Sequence, residues 1–394
     1  MAPNPTEVLI AGGGIAGLET LLALQALAGD RVHVSILAPE ANFVFRPLQT
    51  VEPFSLGHAT RRPLWQIADE RGATLVADGL AEVLPAARQV RCTSGAVLPY
   101  DVLVIAAGAV AEPIEHAATF TGDHAREIMG GVLADLEEGY SHSVAFVAPS
   151  AGWTLPLYEL AIMTAREVWA QGIDDVRFSL VTPEERPLGL FGDEASIAIG
   201  EMLAAERIEF IGSASPRVQR GFVALGPGRG RLEAERIVCL PRLRGPAIEG
   251  LPSAGDGFIP VDGHGRVRGL EDVYAAGDAT DFAIKQGGLA AQQADAVAEA
   301  IAHRVGAPVR PEPFRPVLRG ILSTGGRDRF MVRGGVGPGA DRGHSAVRPL
   351  WWPPTKISGR YLAPYLFEDD ERVLLDRARY APHVEVETAL PSGR

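Results

Sequence analysis

Short apolar runs alternate with helical patterns along most of the chain, and glycines mark many of the joins. Residues 7–11 (EVLIA) are apolar after the first position, which predicts a short buried strand. Leu18, Leu21, Leu22 and Leu27 then recur at helical spacing until Gly29-Asp30 stops the pattern, and residues 32–37 read as a second strand. Further buried strands are predicted within residues 99–105, 144–148, 178–181 and 273–276. Strands this apolar, separated by helices, point to open parallel α/β sheets covered on both faces.

Between the first strand and helix lies Gly12-Gly13-Gly14-Ile15-Ala16-Gly17-Leu18-Glu19, a G-x-G-x-x-G-x-E. Its setting of strand, turn, helix and strand is the one a dinucleotide requires. Gly12 permits the tight turn and Gly14 lets a pyrophosphate approach the backbone. Gly17 allows close helix–strand packing, while Ile15, Ala16 and Gly17 open the helix with free N–H groups. An acidic residue is expected at the end of the second strand to hold ribose hydroxyls. Ala38 stands at the first place to look, so Glu40 is the candidate.

Composition narrows the class. At 394 residues, two or three domains are expected, and 46% hydrophobic with 22% charged residues fits a folded globular protein. A net charge of −12 without a Lys/Arg block argues against nucleic acid as partner. The nine histidines show no metal-ligand spacing, and no metal is expected. Only Cys92 and Cys239 occur, too far apart for a short-spaced dithiol centre. Cys92 falls in a predicted hairpin strand and Cys239 in a buried strand before Pro241, so both read as packing groups. No window reaches the length of a membrane span, and the first residues lack a leader pattern, so a cytoplasmic protein is expected.

Two further segments carry a resemblance. Pro99-Tyr100-Asp101-Val102-Leu103-Val104-Ile105-Ala106-Ala107-Gly108-Ala109 and Val273-Tyr274-Ala275-Ala276-Gly277-Asp278-Ala279 resemble the strand–turn motifs of the pyridine nucleotide-disulfide oxidoreductase-like flavoproteins. Phe43-Val44-Phe45-Arg46-Pro47-Leu48 and Lys285-Gln286-Gly287-Gly288 are similar to segments of their sulfide:quinone oxidoreductase and type II NADH dehydrogenase branch. The resemblance spans roughly residues 6–310. It implies an α/β fold with two Rossmann-like nucleotide-binding domains of glutathione-reductase type, three-layer ββα, plus a small C-terminal cap. The implied division is 1–115 and 252–308 for an FAD-binding domain, 116–251 for an inserted Rossmann-like domain, and 309–394 for the cap. FAD is implied, bound non-covalently because no Cys or His lies between Phe43 and Thr50. Ala107, Gly108, Gly277 and Asp278 are implied cofactor contacts. Arg46, Pro47, Lys285, Gly287 and Gly288 are implied neighbours of the flavin ring.

The pattern breaks in the inserted domain. With Glu159 as anchor, Gly152, Thr154 and Leu157 occupy the three glycine positions of a second dinucleotide turn. Thr154 also reads as the N-cap of the helix that follows, with Pro156 in its first turn. A threonine crowds a pyrophosphate and a leucine holds helix from strand, which makes NAD(P)H a doubtful second cofactor. Glu184-Glu185 after the next strand keeps it open. Trp153 stands where sulfide-oxidising relatives carry a cysteine, so cysteine chemistry is not expected; Trp153 either shields the flavin or packs between domains. Trp351-Trp352-Pro353-Pro354 either walls a substrate channel or packs in a core or dimer contact. The acidic run at 368–371 and the short charged helix expected at 372–380 do not suit the membrane-lying ending of quinone-reducing relatives.

The function expected is FAD-dependent oxidation of a small-molecule donor with transfer of two electrons to a quinone or other acceptor, in a protein able to form homodimers. Alternatives are an NAD(P)H:acceptor reductase with a non-standard nicotinamide site, a flavin-binding interaction protein without turnover, and a flavin monooxygenase.

Overall fold

The alternation of side chains along the central strands decides the layers. In the strand Thr6–Ala11, Val8 and Ile10 pack toward helices, whereas Leu9 and Ala11 pack toward a small antiparallel sheet. Val102 and Val104 repeat the first role in Val102–Ile105, and Leu103 and Ile105 the second. A strand apolar on both faces can be buried on both. The structure is a computed structural model and describes residues 4–334 and 342–367. The acidic run at 368–371 and the helix expected at 372–380 lie outside the described residues.

The first sheet is parallel and runs Val273–Ala275, Val102–Ile105, Thr6–Ala11, Val32–Leu37, Thr74–Val76. Helices Ile15–Ala28 and Gly287–Arg304 cover one face. The meander of Leu80–Leu84, Gln89–Cys92 and Val97–Pro99 covers the other. A second parallel sheet repeats the plan with Ala118–Thr119, Arg236–Cys239, Ser143–Val147, Arg177–Val181 and Ile208–Ile211. Val144, Phe146, Phe178 and Leu180 face its helices, while Ala145, Val147, Val181 and Cys239 face its own meander. Both units are thus ββα sandwiches, the fold class that the resemblance implied. Cys92 and Cys239 sit in the two meander-side cores.

After Gly287–Arg304 the chain forms an antiparallel sheet of Leu318–Leu322, Arg329–Arg333 and His344–Ala346, its first hairpin turning at Gly325-Gly326. Leu318, Leu322 and Met331 join the helix-side core of the second unit. Trp351 packs on Ile321 and Phe330, and its indole N–H donates to the Thr355 carbonyl at 3.1 Å. Of the two readings of the tryptophan pair, Trp351 follows core packing.

Residues 356–367 then return to the first unit as a strap. Ile357, Leu362 and Leu366 enter its helix-side core. The strap is latched by Glu19, fully buried on Ile15–Ala28, which accepts hydrogen bonds from the backbone N–H groups of Tyr361 at 2.7 Å and Leu362 at 2.9 Å. Burial pushes Glu19 up to about 7. Asp295, on the facing helix, hydrogen-bonds Glu19 and is raised by burial and by that neighbouring charge, so the pair retains a proton.

Glu19→Ala orphans two buried donors and is expected to cost about 2–4 kcal/mol, read as faster amide exchange at Tyr361 and Leu362. Both carboxyls are raised above their unfolded values, so the native state holds more protons and stability falls as pH rises through about 7. Asp295→Asn should flatten that slope in thermal melts between pH 6 and 8.

Candidate functional site

The first turn is built by contacts that only glycine allows. Gly12 has φ of +127°, and a Cβ there would lie 2.1 Å from the Ala106 carbonyl oxygen. A Cβ on Gly17 would lie 2.0 Å from the Gly12 oxygen. Together these contacts hold Ile15–Ala28 against the strand and against the Ala106-Ala107-Gly108 turn. Gly14 is different: a Cβ there would meet nothing within 4 Å, so its backbone is open to approach. Gly14 is also the helix N-cap, with no side-chain cap and no acidic residue in the first turn. The N–H groups of Ile15, Ala16 and Gly17 lie outside the helix's own ladder and face this opening with the positive end of the helix dipole. The cradle fits a diphosphate.

The late strand Val273–Ala275 brings a second turn to the same edge. Gly277 has φ of +78°, and a Cβ there would lie 3.0 Å from that of Ala16. Its N–H donates to Gln293 Oε1 at 2.7 Å. The next residue, Asp278, is partly buried, and burial pushes its carboxyl up to about 6 against the pull of Lys285 and Arg46. Lys285 is itself pushed down by burial to about 8, while Asp278 and Asp281 pull it upward. Its ammonium donates to the Thr280 carbonyl and lies 3.7 Å from the centre of the Phe258 ring. Residues from two distant segments, Arg46 on one and Asp278 and Lys285 on the other, thus share one field at the carboxyl edge of the sheet.

The other candidates fall around this edge or outside it. Arg46 is exposed and opens the turn Arg46–Leu48, which includes Pro47. Ala107 is exposed at the end of its strand, and Gly108 has φ of +72°. Gly287 and Gly288 open the helix Gly287–Arg304, whose N-terminus is capped by the Gln286 side chain accepting from Leu289 N–H at 2.7 Å. Gly287 is also a packing position, since a Cβ would lie 2.4 Å from Ile357 Cδ1. Ala38 is fully buried and Glu40 is the first exposed acid after it. Trp153 stacks edge-on against Phe191, with centroids 5.9 Å apart, in the core shared by the second unit and the cap sheet. That is the packing reading of Trp153. Thr154 stands at the N-cap and Pro156 in the first turn, as expected, but the Thr154 hydroxyl does not cap; it donates to Glu184 Oε2 at 2.9 Å.

A second cluster, centred on Lys356, escaped sequence reasoning. Lys356 and Glu159 form an ion pair at 2.5 Å, with side chains only 8% and 1% exposed. Glu159 also accepts from Thr50 Oγ1 and from the Ser323 N–H, both at 2.7 Å. Lys356 also donates to the Pro47 carbonyl at 3.1 Å and to Thr50 Oγ1 at 3.3 Å. The cluster joins the Arg46–Leu48 turn, the Leu155–Ala170 helix and the strap at one point. Asp328 stands near it, raised by burial and drawn down by Lys356. A carboxylate on so apolar a helix signals a buried partner, although nothing local in the sequence identifies Lys356 as that partner.

No protein-family model and no curated protein sequence matches the chain. Solved structures do. The sulfide:quinone oxidoreductase of the hyperthermophilic bacterium Aquifex aeolicus matches with a TM-score of 0.77 at 20% identity, over 95% of this chain and 91% of that one. A ferredoxin reductase from Rhodopseudomonas palustris matches at 0.64 and 19%, over 84% and 82%. NDH2 from Plasmodium falciparum, solved with NADH, matches at 0.58 and 18%, over 70% and 64%. At these identities the likeness is one of fold, and the chain has the fold of these proteins.

Lys356→Met leaves Glu159 charged and buried, and is expected to destabilise the protein by about 3–5 kcal/mol in urea titrations, with Glu159→Gln in the same chain restoring more than half. Asp278→Asn is expected to act in the opposite sense on flavin-free protein. Its carboxyl is raised above the unfolded value, so its ionisation opposes folding as pH rises from 4 to about 6. At pH 7 the variant should be more stable by on the order of 1–2 kcal/mol, a figure scaled down for residual solvent contact. Melts at pH 4 and pH 7 check this, with the gain confined to the higher pH.

Proposed function

We propose that the chain is an FAD-dependent oxidoreductase that takes two electrons from a small donor and passes them to a quinone or another acceptor, with no cysteine in the chemistry. The observation that carries this reading is one juxtaposition. The open backbone at Gly14 lies on the same sheet edge as Asp278, whose buried charge is balanced by Lys285 and Arg46.

In this reading Gly12, Gly14, Ile15, Ala16 and Gly17 hold the diphosphate, Glu40 the ribose, and Asp278 the polyol hydroxyls that donate to a carboxylate. Ala107, Gly108 and Gly277 supply close backbone approach. Arg46, Pro47, Lys285, Gly287 and Gly288 border the ring, with Trp153 further out. Residues 1–115 and 252–308 make the FAD-binding domain, 116–251 the inserted nucleotide-type domain and 309–394 the cap. FAD, when bound, supplies the two-electron chemistry, and the chain's task is to bind, orient and tune. Lys285, held near 8, can release a proton close to neutral pH.

The cysteines fit this division of labour. Burial pushes Cys239 up to about 12 and raises Cys92 as well. A thiol acts as a nucleophile through its thiolate, so neither is poised to react. Solved structures with this fold include a sulfide:quinone oxidoreductase and a ferredoxin reductase, which supports an electron-transfer role. No helix among the described residues is long and apolar enough to cross a membrane.

The test is the visible spectrum of the purified protein, followed by anaerobic addition of candidate donors and then of a soluble quinone. Flavin bands that bleach with a donor and return with the quinone are expected. Protein that stays colourless after incubation with FAD overturns the reading.

A further inference from the structure

The second unit repeats the strand, turn and helix of the first, and the two turns can be compared position by position. Gly152 keeps φ of +144°, close to the +127° of Gly12. The contact behind it is gone: a Cβ on Gly152 would meet only the Ala283 carbonyl oxygen at 3.9 Å, against 2.1 Å from the Ala106 oxygen at Gly12. Where Gly14 leaves open space, the Thr154 side chain is buried. Where Gly17 presses on the Gly12 carbonyl, Leu157 is fully buried and fills the space between helix and strand.

The acidic residue after the next strand has also changed its role. In a dinucleotide site this carboxylate must be free for ribose hydroxyls. Here Glu184 Oε2 accepts three hydroxyl hydrogen bonds, from Thr154 at 2.9 Å, Tyr158 at 2.9 Å and Thr182 at 3.1 Å. Two of the three donors belong to the turn and the first turn of its helix. The acid and the loop, which should both face a nucleotide, instead satisfy each other. Burial raises Glu184 and Tyr158 alike, as expected of groups withdrawn from solvent. Glu185 is exposed and takes no part in these hydrogen bonds.

We infer that Glu184, turned inward by Thr154, Tyr158 and Thr182, locks the second nucleotide crevice, so that the electron donor does not bind there as a nicotinamide dinucleotide. The inference rests on the flavin reading only in speaking of a donor. The binding it denies can be measured without turnover.

Purified full-length protein is titrated with NADH and with NADPH by calorimetry and by nucleotide fluorescence. No saturable binding below the millimolar range is expected. Thr154→Gly with Tyr158→Phe leaves Glu184 only the Thr182 hydroxyl, and should tighten binding at least about tenfold. Thr154→Gly alone serves if the double variant fails to fold, as judged by circular dichroism and melting. Micromolar binding by the unaltered protein overturns the inference. So does a folded variant with no gain, which would place the obstruction elsewhere. A protein that takes up no flavin would sink the proposed function and leave this titration fully interpretable.

Discussion

The carbonyl oxygen of Gly12 occupies the space that a side chain on residue 17 would need, and much of the site follows from that contact. It sets the helix Ile15–Ala28 flush against its strand, so the helix N-terminus meets the carboxyl edge of the sheet. It thereby fixes Ala16, against which Gly277 is packed, and with Gly277 the position of Asp278. A chain that satisfies this contact has little freedom left in where it presents N–H groups and one carboxylate. The second unit shows the converse. With Leu157 in place of the close contact, the same plan of strand and helix persists, but its turn no longer makes a cradle.

Buried and half-buried charge is handled in three ways. Glu159 is matched by Lys356 and by two hydrogen-bond donors, so the protein satisfies it completely. Glu19 and Asp295 avoid the cost of two buried charges by retaining a proton, and Glu19 spends its acceptors on the strap. Asp278 has neither solution. It is balanced only through the field of Lys285 and Arg46, and its carboxyl stays raised. A half-buried carboxylate without donors costs stability, and a bound polyol would supply them. The first two clusters are structural fastenings; the third has the character of a binding group.

Much of this was legible in the sequence. Apolar strands of the right length, a glycine turn in context and a late Gly-Asp segment are local signals, and they predict the two parallel sheets and the turn that faces the crevice. The meander layers are visible in part, through the hairpin that carries Cys92. What stayed hidden depends on contacts between distant segments. Glu19 is part of the glycine motif, yet its partners lie in the strap. Thr154 reads as an N-cap because capping is the commonest use of a hydroxyl there, and only the fold brings Glu184 within its reach. Lys356 follows two conspicuous tryptophans, but one charge on a long side chain carries no sign of its partner until Glu159 is seen opposite it.

These contacts also explain why the second unit persists with its nucleotide turn closed. Its helix Leu155–Ala170 carries Glu159, the only member of the buried ion pair contributed by the inserted segment. Its helix-side core receives Leu318, Leu322 and Met331 from the cap sheet, and Phe191 fills the space that Gly320 leaves. The cap leads into the strap, and the strap reaches back to Pro47 and to Glu19. Loss of the second unit would therefore remove the partner of Lys356 at the start of the strap, leaving the Glu19 latch to hold the rest. A turn freed from binding a nucleotide can accept Thr154 and Leu157, provided the helix behind it still holds Glu159 against Lys356.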